Sequence, residues 1–213
     1  MNSSGTPLTP GRRSLMLSAA GLLLCLPRTA CAGAQVEEPL ADAVRTALAA
    51  SVANSAPPRP RFDQIDERLA YLRWLGAMSE KLKKRKSEAQ IRIEFLETLW
   101  YESKRAGLEP SLVLGLVQVE SGFRKYAISI AGARGYMQVM PFWAKLIGDG
   151  QASRLFHMQT NLRFGCVILR HYLDREQGDL YLALGRYNGS RGRPEYPRAV
   201  FAARKQWLMP GEV

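Results

Sequence analysis

Cysteine and histidine are scarce in this chain, and their scarcity closes off several kinds of chemistry. Its 213 residues hold three cysteines, Cys25, Cys31 and Cys166, and two histidines, His157 and His171. Ligands so few and so scattered cannot assemble a zinc-type cluster, and no metal or cofactor is expected. Negative charge is short as well: 19 acidic residues stand against 30 basic ones, for a net charge of +11. Such an excess biases a protein towards anionic partners, whether nucleic acid, acidic membrane surfaces or acidic polymers, without choosing among them. Basic and aromatic residues do not interleave in one patch, which argues against nucleic acid. The apolar run from Leu15 to Leu26, 12 residues long, falls short of the roughly 20 needed for a comfortable membrane span. No convincing alternation of apolar and polar residues marks a strand, so the expected fold class is all-α.

The first 32 residues read as an export signal. Arg12 and Arg13 give a positive start, the Leu15–Leu26 run follows, and Ala30-Cys31-Ala32 supplies small side chains around a cleavage point. Arg12-Arg13 is an imperfect twin-arginine signal, because Ser14-Leu15 follows it. Lipidation of Cys31 or Cys25 is disfavoured by Arg28, which stands where an aliphatic residue would be wanted. The expected chain therefore starts at Gly33 and is exported, to the periplasm, with lipid anchoring the less favoured alternative. Removing three arginines from the 30 basic residues leaves 27 against 19 acidic ones, a net of +8. Cys166 is then the sole cysteine, so no internal disulfide forms and the core must carry the fold.

Residues 33–60 are rich in alanine and end in Ala56-Pro57-Pro58-Arg59-Pro60, which reads as a linker, although a short helix around Ala41 to Val52 is compatible with the pattern. From Phe62 the pattern changes. Ile65, Leu69, Leu72, Leu75, Met78 and Leu82 recur at helical spacing, and Lys81, Lys83, Lys84, Arg85 and Lys86 crowd the helix end as solvated charges. Further helices are expected over 88–106, from Pro110 onward, from Pro141 to near Gly148, and over 161–176, 179–187 and 197–207. The domain expected from these elements covers 61–213.

Three segments carry candidate chemistry, each with a plain alternative. Glu120 ends an apolar helix, with Val113, Leu116 and Val117 on its own face. A carboxylate so placed loses hydration, which raises its pKa and suits a general acid; alternatively it turns to solvent at the helix end. The loop from Ser129 to Gln138 holds three-residue glycine spacing that permits close backbone approach, and Gln138 offers both donors and an acceptor for sugar groups. Met137 by itself reads as packing. Tyr187-Asn188-Gly189 is either part of a site or a helix cap.

Taken in order, Glu120-Ser121-Gly122-Phe123, Ala127-Ile128-Ser129 and Gly132-Ala133-Arg134-Gly135-Tyr136-Met137-Gln138-Val139-Met140-Pro141 closely resemble the catalytic domain of the soluble lytic transglycosylases. That family is grouped with glycoside hydrolase family 23 and is related to goose-type lysozymes. It shows Glu-Ser, Gly-Leu-Met-Gln and Ala-Tyr-Asn motifs in this sequence. Here the second reads Gly135-Tyr136-Met137-Gln138 and the third Arg186-Tyr187-Asn188, while Tyr196 matches a late tyrosine of the family. The resemblance runs from about Trp74 to Trp207.

The resemblance implies a lysozyme-like helical domain with a substrate groove, and Glu120 acting first as acid and then as base. It implies that Ser129, Met137, Gln138, Tyr187, Asn188 and Tyr196 line the groove or position substrate. The implied partner is peptidoglycan, cut between N-acetylmuramic acid and N-acetylglucosamine to give a 1,6-anhydromuramyl end. Most glycosidases need two carboxylates. Asp149, Asp174, Glu176 and Asp179 read instead as caps or solvated charges, so the substrate's acetamido group is implied as the second player. Two alternatives are a lysozyme-like hydrolase on the same fold and a catalytically silent wall-binding protein. Sequence alone leaves open any partner in secretion or cell-wall machinery.

Overall fold

The computed structural model describes residues 1, 35, 37–53 and 60–211. Met1 aside, the expected export segment lies outside them, as does the Pro57-Pro58-Arg59 part of the expected linker. Eight α-helices occur among the described residues: α1 Asp42–Val52, α2 Ile65–Leu82, α3 Ala89–Arg105, α4 Pro110–Ser121, α5 Pro141–Ile147, α6 Met158–Arg175, α7 Leu180–Asn188 and α8 Glu195–Lys205. A 3₁₀ turn, Ala152–Phe156, precedes α6. No strand forms among the described residues; two isolated bridges, Ile128 to Arg134 and Arg134 to Val139, pin the loop after α4. The fold is all-α, as the periodicity predicts.

Helix α4 is the central rod. Pro110 occupies its first turn, where a missing N–H costs nothing, and every residue from Ser111 to Val117 is buried. Gly122 ends it in the left-handed conformation at φ 57°. Helix α8 crosses α4 closely because position 115 is glycine: a Cβ there would stand 2.7 Å from the Arg204 backbone nitrogen. Helix α3 flanks the rod and packs in turn on α6, joined to it by the buried Arg163–Glu102 pair, whose two hydrogen bonds measure 2.8 and 2.9 Å. Buried Arg92 ties the α2–α3 corner, donating to Ser79 Oγ and to the Lys86 and Ser87 carbonyls.

Helix α1 falls within the Ala-rich stretch and packs against α5 and α6. Leu48 is its one buried side chain. Polar ties hold the segment down. Glu38 pairs with Arg175 and Arg186, Arg105 donates to the Ser51 carbonyl, and Trp143 Nε1 donates to Gln35 Oε1 at 2.7 Å. Cavities of about 590 Å³ each lie on either side of α1.

Three local expectations need correction. On α2, Ile65, Leu69 and Leu72 are exposed; the buried stripe is Tyr71, Trp74, Leu75, Met78 and Leu82. The aromatic face wins because Tyr71 packs on Phe62, Trp74 and Trp100, with ring centroids 4.8–6.3 Å apart. Lys86 is not a solvated charge. Its ammonium sits over the Phe95 and Tyr136 rings and donates to the Tyr136 hydroxyl at 2.6 Å, and burial brings its pKa down to about 8. Glu176 is not solvated either, since its side chain is 5% exposed and held by two arginines.

Candidate active site

The end of α4 delivers Glu120 into the interior. Val113, Leu116 and Val117 on its face are fully buried, and Glu120 itself is 6% exposed. Tyr196, from the start of α8, donates its hydroxyl to Glu120 Oε1. The other oxygen, Oε2, is buried and has no partner within the protein. Burial lifts the Glu120 pKa to about 8, and the Tyr196 hydrogen bond opposes that rise. No second carboxylate is among the groups that move it. Glu120 is thus a carboxyl that holds its proton at neutral pH, with one oxygen anchored and the other free to give that proton away.

Ser121, next in the chain, fastens the glycine-rich loop to α4. Its hydroxyl donates to the Tyr136 carbonyl at 2.7 Å and to the Val117 carbonyl at 3.2 Å. The loop turns back through Gly135 at φ 76° and Gln138 at φ 49°. A non-glycine residue in the left-handed region is uncommon and persists only where its surroundings hold it. Here the Gln138 side chain supplies the hold, donating from Nε2 to the Ala127 and Gly135 carbonyls at 3.1 and 2.9 Å.

Asn161, on α6, completes the loop's support and was not singled out by sequence reasoning. Its Oδ1 accepts from the Met137 N–H, and its Nδ2 donates to the Arg134 and Leu155 carbonyls, all at 2.8 Å. It also explains the glycine at 135, where a Cβ would stand 2.4 Å from Asn161 Nδ2. The sequence signal was an asparagine in the first turn of an amphipathic helix, which is visible but not specific. Gly165 plays the matching part beneath Met137, since a Cβ there would meet Met137 Sδ at 2.3 Å.

The expected site residues are brought together unequally. Tyr196 touches Glu120 directly. Tyr187, fully buried, donates to the Met137 carbonyl at 2.8 Å and so ties α7 to the loop. Met137 is wholly buried against α6, and Gln138 spends its amide donors on the loop itself. Ser129 lies farther out and closes its own turn: its Oγ accepts from the Ala133 N–H at 3.1 Å. Asn188 donates to Ser190 Oγ at 2.9 Å and keeps its Oδ1 buried without a protein partner. Glu120 Oε2 and Asn188 Oδ1 are therefore the two buried side-chain atoms of the expected set left without a protein partner. Among the described residues no group of three or more His, Cys, Asp or Glu could hold a metal ion, and no helix is long and apolar enough to cross a membrane.

This arrangement of residues has relatives. The membrane-bound lytic murein transglycosylase C of Actinobacillus pleuropneumoniae serotype 5b is 36% identical, over 46% of this chain and 31% of that protein. A transglycosylase of Enterobacteria phage PRD1 is also 36% identical, over 49% of this chain and 38% of its own length. The chain thus spans about a third of the curated relatives it matches. The X-ray structure of an inactive mutant of lytic transglycosylase Slt from Pseudomonas aeruginosa aligns at 23% identity. It covers 66% of this chain and 27% of that one, with a TM-score of 0.43. Residues 98–209, which hold all three motifs and the Glu120–Tyr196 pair, match the family described as the transglycosylase SLT domain, and the chain belongs to that family.

Proposed function

We propose that the chain is a peptidoglycan lytic transglycosylase that cleaves the β-1,4 bond between N-acetylmuramic acid and N-acetylglucosamine. The observation that carries this reading is the state of Glu120: buried, protonated up to a pKa of about 8, and with Oε2 free of any protein partner. Glu120 donates its proton to the glycosidic oxygen as the bond from that oxygen to muramyl C1 breaks, and the leaving sugar departs with a free hydroxyl. The substrate's own acetamido carbonyl stabilises the cation at C1. Glu120, now a carboxylate, takes the proton of the muramyl C6 hydroxyl while its oxygen bonds to C1. The product is a 1,6-anhydromuramyl end, the carboxyl regains its starting proton, and no water is consumed.

Tyr196 has two effects in this cycle. Its hydroxyl steadies the carboxylate formed midway, and by opposing the effect of burial it keeps the acid within reach of neutral pH. Asn188 Oδ1 supplies an acceptor for a sugar hydroxyl or amide. Ser129, Met137, Gln138 and Tyr187 shape the wall that holds substrate, Gln138 and Tyr187 by fixing the loop and Ser129 by closing its outer turn. Residues 61–213 form the catalytic domain, and residues 1–32 act as a signal for export to the periplasm, cleaved after Ala32. A hydrolase would need a carboxylate to activate water, and none acts on Glu120.

Digestion of purified peptidoglycan, with mass analysis of the released sugars, tests the proposal. Products should be lighter by one water than those of a lysozyme. Glu120→Gln keeps the shape and removes the proton, so turnover should fall by about 10²–10⁴-fold. Reducing-end muramyl products would show hydrolysis and overturn the mechanism.

A further inference from the structure

The third motif of this chain reads Arg186-Tyr187-Asn188 where its family commonly places alanine before the tyrosine. That arginine enters an ion network at the far end of α7. Its Nε donates to Glu176 Oε1, and its Nη1 donates to Glu38 Oε1 at 3.0 Å. Glu176, which caps α6, is gripped a second time by Arg191, whose Nε and Nη2 reach both carboxylate oxygens at 2.8 Å. Together these hydrogen bonds draw the carboxylate's pKa down to about 2.

What lies between the two arginines is the turn that carries Asn188. Gly189, at φ 76°, reverses the chain, and the Ser190 N–H returns to the Gly185 carbonyl at 2.7 Å. The turn lies flat on α7, since a Cβ at Gly185 would stand 2.9 Å from Arg191 Cα. Ser190 in that turn accepts the Asn188 amide, which leaves Oδ1 as the buried open atom. One carboxylate therefore holds the residue before Tyr187-Asn188 and the residue after the turn. We infer that Glu176 and Arg186 are positioning residues that fix the Asn188 side chain for substrate, acting through the 186–191 turn rather than by touching the saccharide. The inference rests on the transglycosylase reading of the site.

A double-mutant cycle on the full-length protein tests it. Glu176→Ala should lower kcat on purified peptidoglycan by about tenfold. In an Asn188→Ala background the same change should add less than about twofold, because its effect is transmitted through Asn188. Arg186→Ala should behave alike, and Glu176→Gln, which keeps an acceptor, should fall between Glu176→Ala and the wild type. The side-chain amide resonance of ¹⁵N-labelled Asn188 gives a readout independent of turnover and should shift or broaden in Glu176→Ala. Losses that multiply fully in the double mutant, or an unchanged Asn188 resonance, would overturn the inference. So would wild-type kcat per folded molecule, even if Glu176→Ala folds less well. Failure of the transglycosylase reading is separable, because the wild-type protein would then release no anhydromuramyl product while the resonance test still stands.

Discussion

Glu120 is set by two opposing influences, and their balance yields a signed prediction. Its carboxyl would titrate near 4.5 in an unfolded chain and near 8 in the folded one. The fold thus prefers the protonated group, so the stability this preference contributes is fully present below 4.5 and is lost as pH rises to about 8. Glu120→Gln never carries the charge and escapes that loss. Its melting temperature should exceed that of the wild type by a margin that grows from about pH 5 to about pH 8 and then levels. Scanning calorimetry across that range checks it, and a constant gap would contradict the burial argument. For the wild type, kcat/KM should be flat below the pKa and fall about tenfold per pH unit above it, since in the proposed mechanism only the protonated acid starts the reaction. At this scale the sequence was informative where causes are local. Apolar neighbours at three, four and seven residues before Glu120 made its desolvation foreseeable. Lys86 reads as solvated, and Glu176 as either a cap or a solvated charge, because their partners, Tyr136, Arg186 and Arg191, come from 50, 10 and 15 residues away; Glu176 does cap α6 but is not solvated.

Among the elements, the helix starts marked by Pro110 and Pro141 match the expected ones, because proline at a first turn acts on the backbone alone. Helix α6 begins three residues earlier than expected, at Met158, and a 3₁₀ turn precedes it. No cap signals that start: His157 makes no side-chain capping bond, and tertiary contact decides. The α4–α8 crossing was also hidden, since an isolated glycine inside a helix does not announce what lies against it. Its consequence is testable. Gly115→Ala drives a Cβ to 2.7 and 2.9 Å from backbone atoms of Arg204, which cannot rotate away. Helix α8 must yield, at a cost of roughly 1–3 kcal/mol. Because α8 carries Tyr196, Glu120 should lose part of the hydrogen bond that lowers its pKa. The alkaline limb of the rate profile should then move to higher pH. Gly76→Ala is the control, since nothing lies within 4 Å of a Cβ there, and it should leave both stability and rate profile essentially intact.

In the whole molecule, one buried cluster runs from α1 to Trp207, and Cys166 lies inside it. Its thiol is 0% exposed, and burial pushes its pKa far up, so almost no thiolate exists in the native state. It is adjacent to Gly165, which seats Met137, and close enough to Tyr187 to raise that hydroxyl's pKa. A motion that bares the sulfur must part α6 from α3, whose Ser103 faces the thiol. In a chain starting at Gly33 this is the lone sulfhydryl, which makes the protein its own stopwatch. Ellman's reagent should find nothing to modify in minutes under native conditions. Chromophore release should then accelerate with denaturant in step with the loss of enzymatic turnover. Rapid modification of fully active protein would mean that the centre breathes independently of the machinery built around it.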